Sequence, residues 1–220
     1  MRVQAARRAL VDACRRLDAR GLIGGTEGNL SLRLPDGSVL VTPAGRAKYT
    51  LTARDLLRVR RAELPAWCRP ARDRAPAHQS VPLGPRPSSE FSMHACIYAG
   101  HADVGAIVHA HPPVATGTGS WPVSPPWNEL SEVRVVIGGV TVVPPMAPGT
   151  VAVGRAVSAA LEQAHAVVLA RHGATTVGRT LDEAVARMEC LEQAARLLVV
   201  EAIGSIVAGG TRRPVRRSPL

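Results

Sequence analysis

The chain has 220 residues, 46% of them hydrophobic and 20% charged, which fits one globular domain or one domain with a tail. Its formal net charge is +10, from 27 Lys+Arg against 17 Asp+Glu. No zinc-finger, helix-turn-helix or RNA-stacking signature accompanies that charge, so no nucleic-acid partner is expected; no apolar run is long enough to span a bilayer, so no membrane partner is expected either.

Residues 3–20 place Val3, Ala6, Leu10, Val11, Cys14 and Leu17 at helical spacing and predict an amphipathic helix stopped by Gly21. Leu30–Leu34 and Ser38–Thr42 alternate around Pro35-Asp36-Gly37 and predict a hairpin. Residues 61–87 are rich in Pro, Arg and Ala without periodicity; they predict an irregular exposed loop, with a short strand near Val81. Ser88 or Ser89 can cap a helix running to about Ala99. Val104–His109 reads as a buried strand ended by Pro112-Pro113, and Val140–Val143 as another. A small-residue helix over 150–163 and a buried strand over Val167–Ala170 follow. Thr180-Leu181-Asp182-Glu183 is a capping box opening a long helix. The expected fold is a single α/β domain, residues 1–207, with helices covering a mostly antiparallel sheet. Residues 208–220 form a basic tail expected to be disordered. Cys14, Cys68, Cys96 and Cys190 fit neither a CxxC motif nor a disulfide framework. Free thiols and the lack of a signal-peptide pattern predict a cytoplasmic protein.

The chemistry gathers at a few positions. In a strand, residues two apart face one side, so His109 and His111 can chelate one ion, although such a pair also arises in ordinary packing. His172 ends a buried strand and points into a cleft as readily as into a core. As a third imidazole it would leave one open position, as in catalytic zinc sites. Glu90 falls in the first turn of the serine-capped helix. The helix dipole favours a carboxylate there in any case, but beside a Lewis-acid metal it could bind the ion and move a proton. Gly24–Asn29, Thr42–Gly45 and Ser88-Ser89 are rich in backbone donors and hydroxyls; converging, they would cradle a phosphate, and singly each is a turn or a cap.

With those residues assembled, the chain resembles the class II aldolase/adducin family and is closest in its motifs to the L-fuculose-phosphate aldolases. The resemblance rests on Gly25-Thr26-Glu27-Gly28-Asn29-Leu30-Ser31, Thr42-Pro43-Ala44-Gly45, Pro87-Ser88-Ser89-Glu90, His109-Ala110-His111 and His172-Gly173, in family order over roughly residues 5–200. It implies an α/β/α sandwich and a divalent metal, Zn2+ foremost with Mn2+ or Co2+ as variants, on His109, His111, His172 and Glu90, with Glu90 also the catalytic proton carrier. It implies substrate-phosphate binding by Thr26, Gly28, Asn29, Gly45, Ser88 and Ser89. It implies a homotetramer with active sites between subunits. The implied reaction is retro-aldol cleavage of a ketose 1-phosphate, of the fuculose or deoxypentulose kind, to dihydroxyacetone phosphate and an aldehyde through a metal-stabilised enediolate.

Two departures bear on the phosphate seat: Glu27 stands where the loop is usually small, and is expected to turn to solvent, and Ala44 stands where the fuculose enzymes carry a hydroxyl. Lys48 is the only lysine; in a polar loop it would not serve a Schiff-base aldolase, which needs a buried amine. The alternative reactions on the same scaffold are methylthioribulose-1-phosphate dehydration and decarboxylation, with a non-catalytic adducin-like module as the reading from another class.

Overall fold

The computed structural model describes residues 3–69 and 86–209. Helix α1 (Val3–Ala19) turns Ala6, Leu10, Val11, Cys14 and Leu17 inward, one face of a 3.6-residue period. It stops before Gly21, whose φ of 67° is open to glycine without a Cβ clash. Strands β1 (Asn29–Arg33) and β2 (Val39–Val41) form the expected hairpin, turning at Gly37 with φ 78°.

Strands β3 (Leu57–Val59), β4 (Ala106–Ala110), β5 (Val140–Val143), β6 (Ala166–Leu169) and β7 (Gly173–Gly178) complete one sheet in the order β3-β2-β1-β4-β7-β6-β5. Every neighbouring pair is antiparallel except β5 with β6, so the expected mostly antiparallel sheet is what forms. β4 lies at its centre and sorts its side chains by alternation. Ala106, Val108 and Ala110 join the core shared with α1, with α4 (Pro113–Thr118) and with α6 (Leu181–Val207), while Ile107 joins the core shared with α3 (Phe91–Gly100) and α5 (Val151–Ala160). Fully buried side chains such as Leu10 and Ile107 each contribute about 1.5–3 kcal/mol to this three-layer packing. Among the described residues no helix is long and apolar enough to cross a membrane.

Several expectations need correcting. Part of the supposed irregular loop is helical: residues 61–63 make a 3-10 turn that leads into α2 (Leu64–Trp67). The strand expected near Val81 lies outside the described residues, as does the tail from residue 210 onward. Neither Ser88 nor Ser89 caps α3; Glu90 itself occupies the N-cap position, without a side-chain cap, and Ser88 Oγ accepts from the Glu90 N–H at 3.3 Å. At α6, Thr180 Oγ1 accepts from the Glu183 N–H at 3.2 Å, but the Glu183 carboxylate reaches back to the Arg179 N–H at 2.8 Å rather than to that of Thr180.

The cysteines are not all free. Cys68, just past α2, is joined to Cys96 of α3 by a disulfide, with Cα atoms 5.1 Å apart. Their spacing in sequence carries no such signal. They meet because α2 packs on α3, with Trp67 edge-on to Phe91 at 5.3 Å. Cys14 and Cys190 remain thiols, and burial pushes the Cys14 thiol up to about 12.

Candidate active site

His109 sits on the central strand, opposite Asn29 of β1 and Thr175 of β7. Its Nδ1 lies 3.0 Å from the Ala174 carbonyl and 3.1 Å from Thr175 Oγ1. A carbonyl can only accept, so the proton belongs on Nδ1 and Nε2 keeps its lone pair. His111 follows two residues on, just past the strand end, where its N–H donates to the Leu22 carbonyl at 2.9 Å. His172 lies in the tight turn between β6 and β7. It follows Arg171, whose φ of 61° is the one left-handed value outside glycine among the described residues. The next residue must be small: a Cβ on Gly173 would fall 2.6 Å from the Ala110 carbonyl and 2.8 Å from the His111 ring. That close approach lets the turn carry His172 up to the pair on β4.

The three imidazoles stand edge to face, with ring centroids 5.0–5.3 Å apart. Glu90 closes the group, its carboxylate oxygens 3.2 Å from His109 Nε2 and 2.9 Å from His172 Nε2. One donor atom from each of Glu90, His109, His111 and His172 lies within 4.8 Å of the others. Glu90 Oε1, His109 Nε2, His111 Nε2 and His172 Nδ1 are buried without a hydrogen-bond partner, a costly arrangement unless something binds them. Three neutral imidazoles and a carboxylate are the donor set a divalent transition metal takes, so these residues fit the implied ion. Burial raises the Glu90 carboxyl, but His109 and His172 outweigh it and hold the group far below the usual carboxylate range. Burial, then the neighbouring His109 and His172, push His111 down to about 4, leaving it a neutral ligand.

Beneath this group His94 is fully buried, its Nδ1 2.7 Å from Ser31 Oγ, which also meets the Tyr98 hydroxyl at 2.9 Å. It therefore braces the floor rather than facing the opening.

The six residues expected to hold phosphate lie on three segments and differ in burial. Gly28 is buried with φ 66°, and a Cβ there would come within 2.8 Å of the His109 carbonyl. Thr26, Gly45 and Ser89 are exposed, and Ser88 is half-buried. The three segments are tied together: Ala44 N–H donates to the Arg86 carbonyl at 2.8 Å beside a Pro43–Pro87 bridge, and Lys48 N–H donates to the Gly25 carbonyl at 3.1 Å. Asn29 is buried, and its Nδ2 donates to Glu90 Oε2 at 3.0 Å, so it also serves the carboxylate. Glu27 does not simply turn to solvent; its Oε2 lies 3.6 Å from His111 Nδ1, at the outer edge of the group.

Lys48 also needs correcting. It is not in an open polar loop but 2% exposed, with Nζ donating to the carbonyls of Thr26 at 2.8 Å and Arg46 at 3.0 Å. Sequence reasoning missed this anchor, the Asn29–Glu90 bond and the support of Thr175 for His109. For the lysine, a signal was present: it is the single lysine among 27 basic residues.

Comparison with known proteins bears on the same residues. The sequence model described as "Class II Aldolase and Adducin N-terminal domain" matches residues 8–199. The chain is 32% identical over 187 residues to a 3-oxo-tetronate 4-phosphate decarboxylase of Pectobacterium atrosepticum, covering 82% of this chain and 78% of that protein. It is 33% identical over 184 residues to a 5-methylthioribulose-1-phosphate/5-deoxyribulose-1-phosphate aldolase of Rhodospirillum rubrum, covering 82% and 74%. Its fold is similar to the crystal structure of L-fuculose-1-phosphate aldolase from Thermus thermophilus, with a TM-score of 0.74, 30% identity and coverage of 94% and 100%. A shared fold, a match spanning the sheet and its flanking helices, and a histidine-carboxylate group built on that sheet lead to one assignment: the chain belongs to the class II aldolase and adducin N-terminal domain family.

Proposed function

We propose that this chain is a metal-dependent aldehyde-lyase that cleaves a ketose 1-phosphate to dihydroxyacetone phosphate and an aldehyde. The observation that carries the reading is Glu90, fixed 2.9 Å and 3.2 Å from two of three converging imidazoles and bonded to Asn29. A divalent ion on His109, His111, His172 and Glu90, zinc foremost, would supply Lewis-acid stabilisation of charge developing on the substrate's carbonyl oxygen. Thr26, Gly28, Asn29, Gly45, Ser88 and Ser89 would hold the phosphate. In the cleavage the C4 hydroxyl gives its proton to the Glu90 carboxylate, the C3–C4 bond breaks with its electron pair staying on C3, and C4 leaves as the aldehyde. Glu90 carries the proton that C3 takes up, with Asn29 fixing the carboxylate's orientation.

A second reading has support from the decarboxylase relative. Loss of carbon dioxide from a 3-oxo acid 4-phosphate leaves an electron pair on C2, and protonation there also gives dihydroxyacetone phosphate. The two readings share product, proton carrier and phosphate seat, and differ in what departs.

We further propose a homotetramer with active sites between subunits, supported by exposed apolar side chains including Val123, Val135, Val200 and Ile206. Cytoplasmic placement belongs to the same proposal. In a reducing cytosol Cys68 and Cys96 would be thiols in contact rather than a bond.

The test is dihydroxyacetone phosphate release from a panel of deoxy-ketose 1-phosphates and 3-oxo acid 4-phosphates, with and without chelator, beside Glu90→Gln. Release that needs metal and Glu90 supports the proposal, and the co-product, aldehyde or carbon dioxide, selects between the readings. No release from metal-loaded protein overturns both and leaves dehydration.

A further inference from the structure

Lys48 is a buried ammonium. It is 2% exposed, and among the described residues no carboxylate lies within ion-pair distance of it. Removing an ammonium from water is costly unless an anion or a full set of acceptors replaces the hydration. Two of its three donors are used, on the carbonyls of Thr26 and Arg46. Burial accordingly lowers its pKa from the usual lysine value. An arginine, with a planar five-donor head, would not fill the same compact place, and the chain keeps its single lysine here among 27 basic residues.

The two acceptors belong to different segments, residues 24–28 and 44–47, both of which turn through left-handed glycines, Gly25, Gly28 and Gly45. A third bond, from the Lys48 N–H to the Gly25 carbonyl, joins the same segments. In a trans peptide the N–H points opposite to the C=O. Holding the Gly25 and Arg46 carbonyls toward Lys48 therefore turns the N–H groups of Thr26 and Ala47 away from it.

We propose that Lys48 is a positioning residue: it locks the two glycine loops together behind a bound phosphate and supplies the buried positive charge that the phosphate complements. This rests on the phosphorylated-substrate reading above. Lys48 acts through the loops' peptide groups and is not a nucleophile.

The experiment uses the full-length, zinc-loaded protein and two probes, dihydroxyacetone phosphate and unphosphorylated dihydroxyacetone, with Lys48→Arg and Lys48→Met. Wild type should prefer the phosphorylated probe. Both variants should lose about thirtyfold of that preference, while zinc content and affinity for dihydroxyacetone stay unchanged. Variants that keep the full preference overturn the role of Lys48 and leave the phosphate seat standing. A wild type without preference overturns the phosphate reading and this proposal with it. A borohydride-trapped adduct of dihydroxyacetone phosphate on Lys48 would make it a nucleophile and overturn the positioning role. Because a variant can fail to fold, hydrogen exchange of the wild type serves as a second readout: amides in residues 24–28 and 44–48 should slow together with the phosphorylated probe alone. Exchange that does not change, or that slows in one loop only, overturns the lock.

Discussion

The Asn29 amide donates to Glu90 Oε2 across 3.0 Å, joining the first residue of β1 to the N-cap position of α3. The bond fixes Oε2 and leaves Glu90 Oε1 without a hydrogen bond, 2.9 Å from His172 Nε2. Asn29→Leu should therefore lower turnover about tenfold to a hundredfold while zinc still binds in a one-to-one ratio. The rate of dihydroxyacetone phosphate release, read beside metal analysis, checks this; an unchanged rate removes Asn29 from the machinery.

Unpartnered donor atoms predict stabilisation by metal. Zinc at about a thousandfold over its dissociation constant should add about 4 kcal/mol to the folded state, a rise of roughly 10 °C in Tm for a chain of this size. Chelator should reverse the rise, and His109→Ala should abolish it. A wild-type Tm indifferent to zinc would count against the site.

Acid should unfold the protein partly through His94. Burial lowers its pKa from 6.5 to about 3. The unfolded chain thus binds a proton that the folded chain refuses, so the contribution is whole above pH about 6.5 and is lost as pH falls toward 3. Between about pH 6 and 4 this one group should remove about 1.4 kcal/mol per pH unit. Tm measured from pH 7.5 to 4.5 should fall less steeply in His94→Gln than in wild type. Parallel slopes would mean that His94 does not drive the acid sensitivity.

The Cys68–Cys96 disulfide closes a loop with a sequence separation of 28. Reduction should cost about 3.5 kcal/mol through the added freedom of the unfolded chain. Denaturant titration with and without reductant measures it, with Cys68→Ser as the matched variant. Identical midpoints for oxidised and reduced protein would show that the bond contributes nothing to stability.

What the sequence disclosed follows the range of the interaction. His109 and His111 were legible because strand alternation is local, and α1 and α6 because apolar spacing and terminal signals are local too. β3 escaped because Leu57–Val59 is short and interrupted by Arg58; β7 escaped because Gly173–Gly178 is made of small residues with no alternating pattern. The Asn29–Glu90 bond spans 61 residues and depends on how β1 pairs with β4, which no local pattern encodes. The same holds for Thr175 behind His109 and for the Cys68–Cys96 pairing. Lys48 was misplaced because polar neighbours in sequence said nothing of the carbonyls that fold around it.

The turn that carries His172 is also where the protein is least able to change length. β7 pairs with β6 on one side and β4 on the other, with Leu169 opposite Gly173 and Ala110 opposite Ala174. An insertion between Ala170 and His172 would lengthen a turn whose geometry is set by the left-handed Arg171, φ 61°, and by the bond from the His172 N–H to the Leu169 carbonyl at 3.0 Å. His172 would then leave the group even with both strand pairings kept. Chain length can drift elsewhere on the surface, but insertions and deletions at Arg171 should be excluded from every active variant.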